Sequence, residues 1–210
     1  MGNLLVFDVD GTLIDSERSI IRCIDESSRK LGYKVRNVSR YIGVLKLTQI
    51  LKNNGIKDDD IKVIMESYRE CYFNTFEQDS KPTEDSATVL KKLQSGNELG
   101  ILTLKDLKLT KEIARRFFDG IEFKYVVCGD RPITDKVEGL RLIIEESGKP
   151  PEKIFYIGDR AGDVRSAIKS GVNAVWVSFG MGKESELDFK NRFLIARNFQ
   201  ELLKMFSSQT

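Results

Sequence analysis

The chain has 210 residues, 40% of them hydrophobic and 31% charged, with 34 lysines and arginines, 32 acids and no histidine. A net charge of +2 gives no electrostatic footing for nucleic acid, and no apolar run approaches the length of a membrane helix. Without histidine, Ser-His-Asp and Cys-His catalysis are excluded, and acid/base work falls to carboxylates, lysines and tyrosines.

The first predicted strand is Leu4–Phe7, and it runs directly into Asp8-Val9-Asp10-Gly11-Thr12. Acids are depleted from strands. Two of them at the exit of a buried strand point to a metal, a covalent nucleophile, an acid/base pair, or all three. No basic and apolar leader precedes this strand. Cys23, Cys71 and Cys128 are odd in number, far apart and without metal-ligand spacing. The expectation is reduced thiols in a cytoplasmic protein.

From Leu13 to Pro82 the pattern is helical only. Amphipathic stretches cover Ser16–Leu31, Ser39–Asn53 and Asp58–Phe76. That is too long for a crossover and predicts an inserted helical module. Beyond it, apolar runs at Leu99–Leu102, Tyr125–Val127, Ile154–Ile157 and Ala174–Val177 read as strands. They alternate with helical patterns over Thr83–Ser95, Leu107–Phe118, Asp135–Ser147 and Gly162–Ser170, and a last helix covers Phe199–Phe206. The prediction is an α/β fold with a doubly wound parallel (Rossmann-like) sheet core over 1–14 and 82–210. A small all-helical cap domain, 15–81, is inserted after the first strand.

Ligands of such sheets bind beyond the carboxyl ends of the strands. Asp8 and Asp10 follow the first strand, Thr103 the second, and Asp159 and Asp163 the fourth; Lys136 opens the helix after the third. Clustered acids raise one another's pKa or demand a cation. An all-oxygen set with open positions suits Mg²⁺. Thr103 and Lys136 can each hold a phosphoryl oxygen. Lys136 opposes the dipole at a helix start, a conflict that a bound anion relieves. Gly158 reads as a turn glycine, Arg160 as a solvent residue, and Asp163 sits where a helix cap belongs.

These residues, in this order, resemble the haloacid dehalogenase superfamily of phosphatases, and its phosphoglycolate phosphatase-like branch. The resemblance rests on Asp8-Val9-Asp10-Gly11-Thr12, on Thr103, on Lys136 within Asp135-Lys136-Val137, and on Gly158-Asp159-Arg160-Ala161-Gly162-Asp163. It implies Mg²⁺-dependent hydrolysis of a small phosphomonoester, phosphoglycolate leading, through an aspartyl-phosphate. It implies Asp8 as nucleophile, and Asp10 as the acid that protonates the leaving oxygen and then activates water. Mg²⁺ would be held by Asp8, the backbone carbonyl of Asp10 and Asp159, with Asp163 direct or through water. Thr103, Lys136 and backbone N–H groups at Gly11 and Leu104 would bind the transferring phosphoryl group. Leu104 stands where relatives often carry Asn, and Gly43 where relatives carry a glycine that lets the cap approach the core.

The implied partner is a small phosphorylated metabolite, with no nucleic acid and no membrane; oligomeric state is not written in the sequence. Arg36, Arg40, Tyr41 and Lys46 are the cap residues that could face a substrate. Two other readings use the same residues. One is a phosphotransferase such as a sugar phosphomutase. The other is a receiver-like phospho-acceptor module, disfavoured by the helical insertion and by an acid pair split around Val9.

Overall fold

In chain order the elements are β1 (Leu4–Phe7), β2 (Ile14–Asp15), α1 (Glu17–Arg29), α2 (Val38–Tyr41), α3 (Leu47–Asn53), α4 (Asp58–Asp79) and β3 (Lys81–Pro82). They continue with α5 (Ser86–Leu93), β4 (Glu98–Leu102), α6 (Leu107–Phe117), β5 (Phe123–Val127), α7 (Lys136–Ser147), β6 (Ile154–Gly158), α8 (Ala161–Ser170), β7 (Asn173–Val177), β8 (Leu194–Ala196) and α9 (Phe199–Phe206). This is a computed structural model that describes residues 2–188, 190 and 192–207. Met1 and 208–210, the outermost residues of the expected core, lie outside the described residues.

Six strands form one parallel sheet in the order β5-β4-β1-β6-β7-β8. β1 lies inside it, and all four of its residues are fully buried. Leu5 and Phe7 pack into the cluster that holds residues of α5, α6 and α9, whereas Leu4 and Val6 pack with residues of α7 and α8. Cover on both faces is why these strands read as unbroken apolar runs. The chain builds outward from β1 through β4 to β5, then returns to β6 on β1's other side. That reversal opens a crevice at the carboxyl ends of β1 and β6.

The predicted strands are all present, with ends shifted by one or two residues. β8 is an addition. It has three residues, and Leu194 is exposed, so it carried no apolar run long enough to read. β2 and β3 form a separate two-residue antiparallel ladder, Ile14 with Pro82 and Asp15 with Lys81. This ladder ties together the two ends of the helical insertion.

Within the insertion, the expected single helix Ser39–Asn53 is two helices, α2 and α3. Gly43 lies between them at φ +75°, a left-handed conformation that suits glycine. Rings stack along α4, with Tyr68–Tyr72 centroids 5.7 Å apart and Tyr72–Phe76 centroids 5.6 Å apart. The column ends on Phe117 of α6 at 5.4 Å. α4 runs past the expected Phe76 to Asp79, whose Oδ2 accepts a 2.6 Å bond from Arg22 Nε of α1.

Cys23 of α1 and Cys71 of α4 form a disulfide, with Cα atoms 5.7 Å apart. The expectation of three reduced thiols is therefore corrected. Only Cys128 is free; it is buried, and burial pushes its thiol up to about 11. The bonded pair is 48 residues apart and meets only because α1 packs on α4, so no local pattern announced it. Closing a loop of that length restricts the unfolded chain by about 4 kcal/mol in the chain-entropy account. The bond also removes the reduced-thiol support for a cytoplasmic location. Among the described residues, no helix is long and apolar enough to cross a membrane.

Candidate active site

Asp8 follows β1 and is 1% exposed. Its backbone N–H continues the sheet by donating to the Ile157 carbonyl at 2.9 Å. Its Oδ1 accepts from the Val9 N–H at 2.8 Å. Its Oδ2 accepts from Lys136 Nζ, also at 2.8 Å.

Lys136 opens α7, which is capped by Asp135 accepting from the Glu138 N–H at 3.0 Å. The lysine is buried and donates a second bond, 2.6 Å, to Asp163 Oδ1. Two carboxylates thus answer the charge that the sequence reading assigned to a bound anion.

Asp159 follows β6 and is fully buried. Its Oδ2 accepts from the backbone N–H groups of Met181 at 2.7 Å and Gly182 at 3.1 Å. Its carbonyl accepts from Trp176 Nε1 at 2.6 Å, so this core tryptophan also orients the loop. Asp163 is the third residue of α8 and not its cap. Its Oδ2 accepts from the Arg160 N–H at 2.9 Å, and its Oδ1 from the Tyr156 hydroxyl at 3.3 Å.

Asp8, Asp159 and Asp163 each bring one carboxylate oxygen within 4.8 Å of the others. Glycines permit this crowding. A Cβ at Gly11, which sits at φ +80°, would lie 2.6 Å from Asp159 Oδ2; one at Gly158 would lie 2.5 Å from Asp163. Gly158 therefore serves close approach, which corrects its reading as a turn glycine. The Gly11 N–H donates to the Ile14 carbonyl at 2.8 Å.

The Asp10 side chain stands apart from the triad. Its Oδ1 accepts from Ser16 Oγ at 2.6 Å and pairs with Lys105 Nζ at 3.3 Å. Thr103 is buried, and its Oγ1 accepts from the Lys105 N–H at 3.2 Å. Asp10, Thr103 and Leu104 all border a cavity between the inserted helices and the β4–α6 loop.

Burial first, then the nearby Asp163 and Asp159, raises the Asp8 carboxyl to about 8 against the opposing pull of Lys136. Burial, then Asp163, raises Asp159 to about 6. Lys136 is held above its usual range because the Asp163 and Asp8 carboxylates outweigh burial, which alone would lower it. Three buried acids face one lysine and the Arg160 guanidinium, whose Nε lies 3.8 Å from Asp159 Oδ2, so the cations are still outnumbered by the acids. Their donors are all oxygen, so the residues fit a hard divalent cation.

A pH prediction follows. Without metal, the folded chain holds protons on Asp8 and Asp159 that the unfolded chain releases above the ordinary value of 3.8. The share of the metal-free protein's stability that these two groups carry is then fully present at low pH and is lost as pH rises towards about 8. In EDTA, Tm is expected to drop from pH 5 to pH 8, and Mg²⁺ to restore it mostly at pH 8. Equal stabilisation by Mg²⁺ at both pH values contradicts this.

Several contributors were not predicted. Lys105, two residues after Thr103, has a side chain only 4% exposed. Arg160, expected in solvent, is buried: its guanidinium donates to the Ser39 carbonyl at 2.8 Å and the Met181 carbonyl at 3.2 Å, tying the insertion to the core. The Met181–Gly182 loop offered a signal in its Gly180-Met181-Gly182 spacing after β7. Of the four cap candidates only Lys46 borders the cavity; its Nζ donates to the Gly129 carbonyl at 2.6 Å. A Cβ at Gly43 would lie 3.6 Å from Asp8 Oδ2, so the insertion closes directly over that carboxylate.

Residues 5–177 match the haloacid dehalogenase-like hydrolases, and the chain belongs to that family. It is 29% identical over 189 residues to a 5′-nucleotidase of Pseudomonas aeruginosa, covering 87% of this chain and 86% of that one. It is 27% identical over 194 residues to a phosphoglycolate phosphatase of Aquifex aeolicus, covering 86% of each. A solved haloacid dehalogenase-like hydrolase of Streptococcus pneumoniae superposes with a TM-score of 0.83 at 22% identity, over 98% of this chain and 99% of that one, and shares the fold.

Proposed function

We propose that this chain is a Mg²⁺-dependent phosphatase of small phosphomonoesters, working through an aspartyl-phosphate on Asp8. The observation that carries the reading is the buried Asp8–Lys136–Asp163 constellation, with Asp159 beside it, at the carboxyl ends of β1 and β6. Asp8, Asp159 and Asp163, with the backbone carbonyl of Asp10, would hold Mg²⁺. Mg²⁺, when bound, supplies positive charge to the phosphoryl oxygens.

Asp8 attacks phosphorus, and the leaving oxygen takes a proton from Asp10. Asp10 then removes a proton from the water that splits the aspartyl-phosphate. One carboxyl serves both steps, as a chain without histidine requires. Lys136 holds Asp8 in place and stabilises charge on the transferring group, together with the Thr103 hydroxyl and the Leu104 N–H. With its own N–H engaged, Gly11 contributes chiefly the space that Asp159 needs.

Residues 15–81 act as a cap on the core formed by 1–14 and 82–210. Closure over Asp8 excludes water from the first step. The cavity beside Asp10, about 110 Å³, lies next to the proposed acid and leaves room for a small leaving group such as glycolate. Phosphate release from a panel of esters, with and without Mg²⁺, tests the reading. Turnover of a small ester that vanishes in EDTA is expected, and metal-independent turnover would overturn it.

A further inference from the structure

Arg160 follows Asp159 directly, and none of the phosphoryl-transfer steps uses it. Its side chain is buried, and its guanidinium bonds two other segments of the chain. Nη2 donates to the Ser39 carbonyl of α2 at 2.8 Å, and Nη1 to the Met181 carbonyl at 3.2 Å. The stem is approached as well. A Cβ at Gly43 would lie 3.7 Å from Arg160 Cγ and 3.6 Å from Asp8 Oδ2. The turn of the insertion that covers Asp8 therefore lies against Arg160 too.

On its other side the same residue meets the acid cluster. Met181, whose carbonyl it holds, gives its own N–H to Asp159 Oδ2 at 2.7 Å, and the Gly182 N–H adds a bond of 3.1 Å. The Arg160 N–H donates to Asp163 Oδ2 at 2.9 Å. One residue thus bonds the insertion, the loop that orients Asp159, and Asp163. Nε is the exception. It is buried, has no hydrogen-bond partner, and lies 3.8 Å from Asp159 Oδ2. That separation exceeds a hydrogen bond, and a buried donor left without one is costly. The two carbonyls hold the guanidinium just short of the carboxylate.

We propose that Arg160 is a positioning residue that couples docking of the insertion to the metal site, its guanidinium being held off Asp159 only while the Ser39 carbonyl is in place. This rests on the Mg²⁺ reading above. With the insertion docked, Ser39 and Met181 take the guanidinium, and the Asp159 carboxylate is left to a divalent cation. With the insertion lifted, Nη2 loses its acceptor. The guanidinium then closes the 3.8 Å gap and pairs with Asp159, where it competes with the cation for the same oxygen. Docking therefore raises the affinity for Mg²⁺, and by linkage Mg²⁺ favours the docked form. The metal is held best in the form that excludes water from Asp8.

The test follows the insertion by hydrogen exchange of the backbone over 38–45. Metal binding is followed by calorimetry and by the fluorescence of Trp176, the only tryptophan, whose Nε1 donates to the Asp159 carbonyl at 2.6 Å. In the wild type Mg²⁺ is expected to slow exchange over 38–45 by about fivefold or more relative to EDTA, the low end of ordinary coupling between sites. Arg160→Met should bind Mg²⁺ at least as tightly as the wild type, with the Trp176 response kept, because the competing cation is gone. Its exchange over 38–45 should agree within about twofold with and without Mg²⁺. Arg160→Lys keeps the charge but not the planar fork that spans two carbonyls, and should lose the response as well. A residue that merely supported the fold would weaken Mg²⁺ binding when replaced. No slowing in the wild type, slowing retained in the variants, or weaker Mg²⁺ binding by Arg160→Met would overturn the proposal; the wild-type and Arg160→Lys arms decide it even where Arg160→Met fails to fold. Any of these results beside Mg²⁺-dependent turnover of p-nitrophenyl phosphate defeats this inference alone. Mg²⁺ binding with the exchange response but no turnover of any ester defeats the phosphatase reading alone, and a wild type that binds no Mg²⁺ defeats both.

Discussion

Asp8→Asn is expected to lower phosphoglycolate turnover by at least about 10⁴-fold while the protein still folds. The amide has nearly the shape of the carboxylate but cannot attack phosphorus. Burial, with Asp163 and Asp159 beside it, raises the Asp8 carboxyl to about 8. Exchanging it for a neutral group relieves charge repulsion with Asp159 and Asp163, and the amide oxygen can still accept from Lys136. The fold should therefore survive. Steady-state kinetics together with circular dichroism check this. A well-folded variant within about tenfold of wild-type turnover would show that the nucleophile lies elsewhere.

The second large effect is on stability. Lys136→Met should destabilise the metal-free protein by about 3–5 kcal/mol, because it strips the buried Asp163 of its counter-charge and Asp8 of a hydrogen-bond donor. The same change should lower turnover by about 10²-fold or more through lost charge stabilisation. Mg²⁺ is expected to recover part of the stability, since a divalent cation meets the same carboxylates, but not the turnover. Urea unfolding with EDTA and with Mg²⁺ separates the two. A variant as stable as the wild type in EDTA contradicts the view that Lys136 holds the acid cluster together.

Much of this was written in the sequence, and for identifiable reasons. β1, β4, β6 and β7 are buried on both faces and declared themselves as apolar runs. Asp8, Thr103, Lys136 and Asp159 sit at fixed places after strands, so a parallel sheet delivers them to one edge. Local signals of this kind do not depend on how distant parts pack. The Cys23–Cys71 bond does depend on it: the register of α1 against α4 exists only in three dimensions. The same holds for Arg160 and Lys105. As sequence they are charged residues in polar turns. As structure they are buried, one bonded to the Ser39 and Met181 carbonyls, the other set between Asp10 and the Tyr72 ring. Arg160 and Tyr72 do this only once the insertion has docked on the core. The break between α2 and α3 at Gly43 was not expected, whereas an approach of the cap to the core at this glycine was what the family resemblance implied. That the approach falls on Asp8, 35 residues away, shows only in the fold.

The central claim is a phosphoryl group carried covalently by Asp8. Acid-quenching the enzyme during turnover of phosphoglycolate in Mg²⁺, followed by borohydride reduction and peptide mass mapping, tests it directly. The account predicts homoserine at position 8, formed from the reduced aspartyl-phosphate, in the Mg²⁺ sample and not in EDTA. Rapid phosphate release with position 8 recovered only as unmodified aspartate would contradict it.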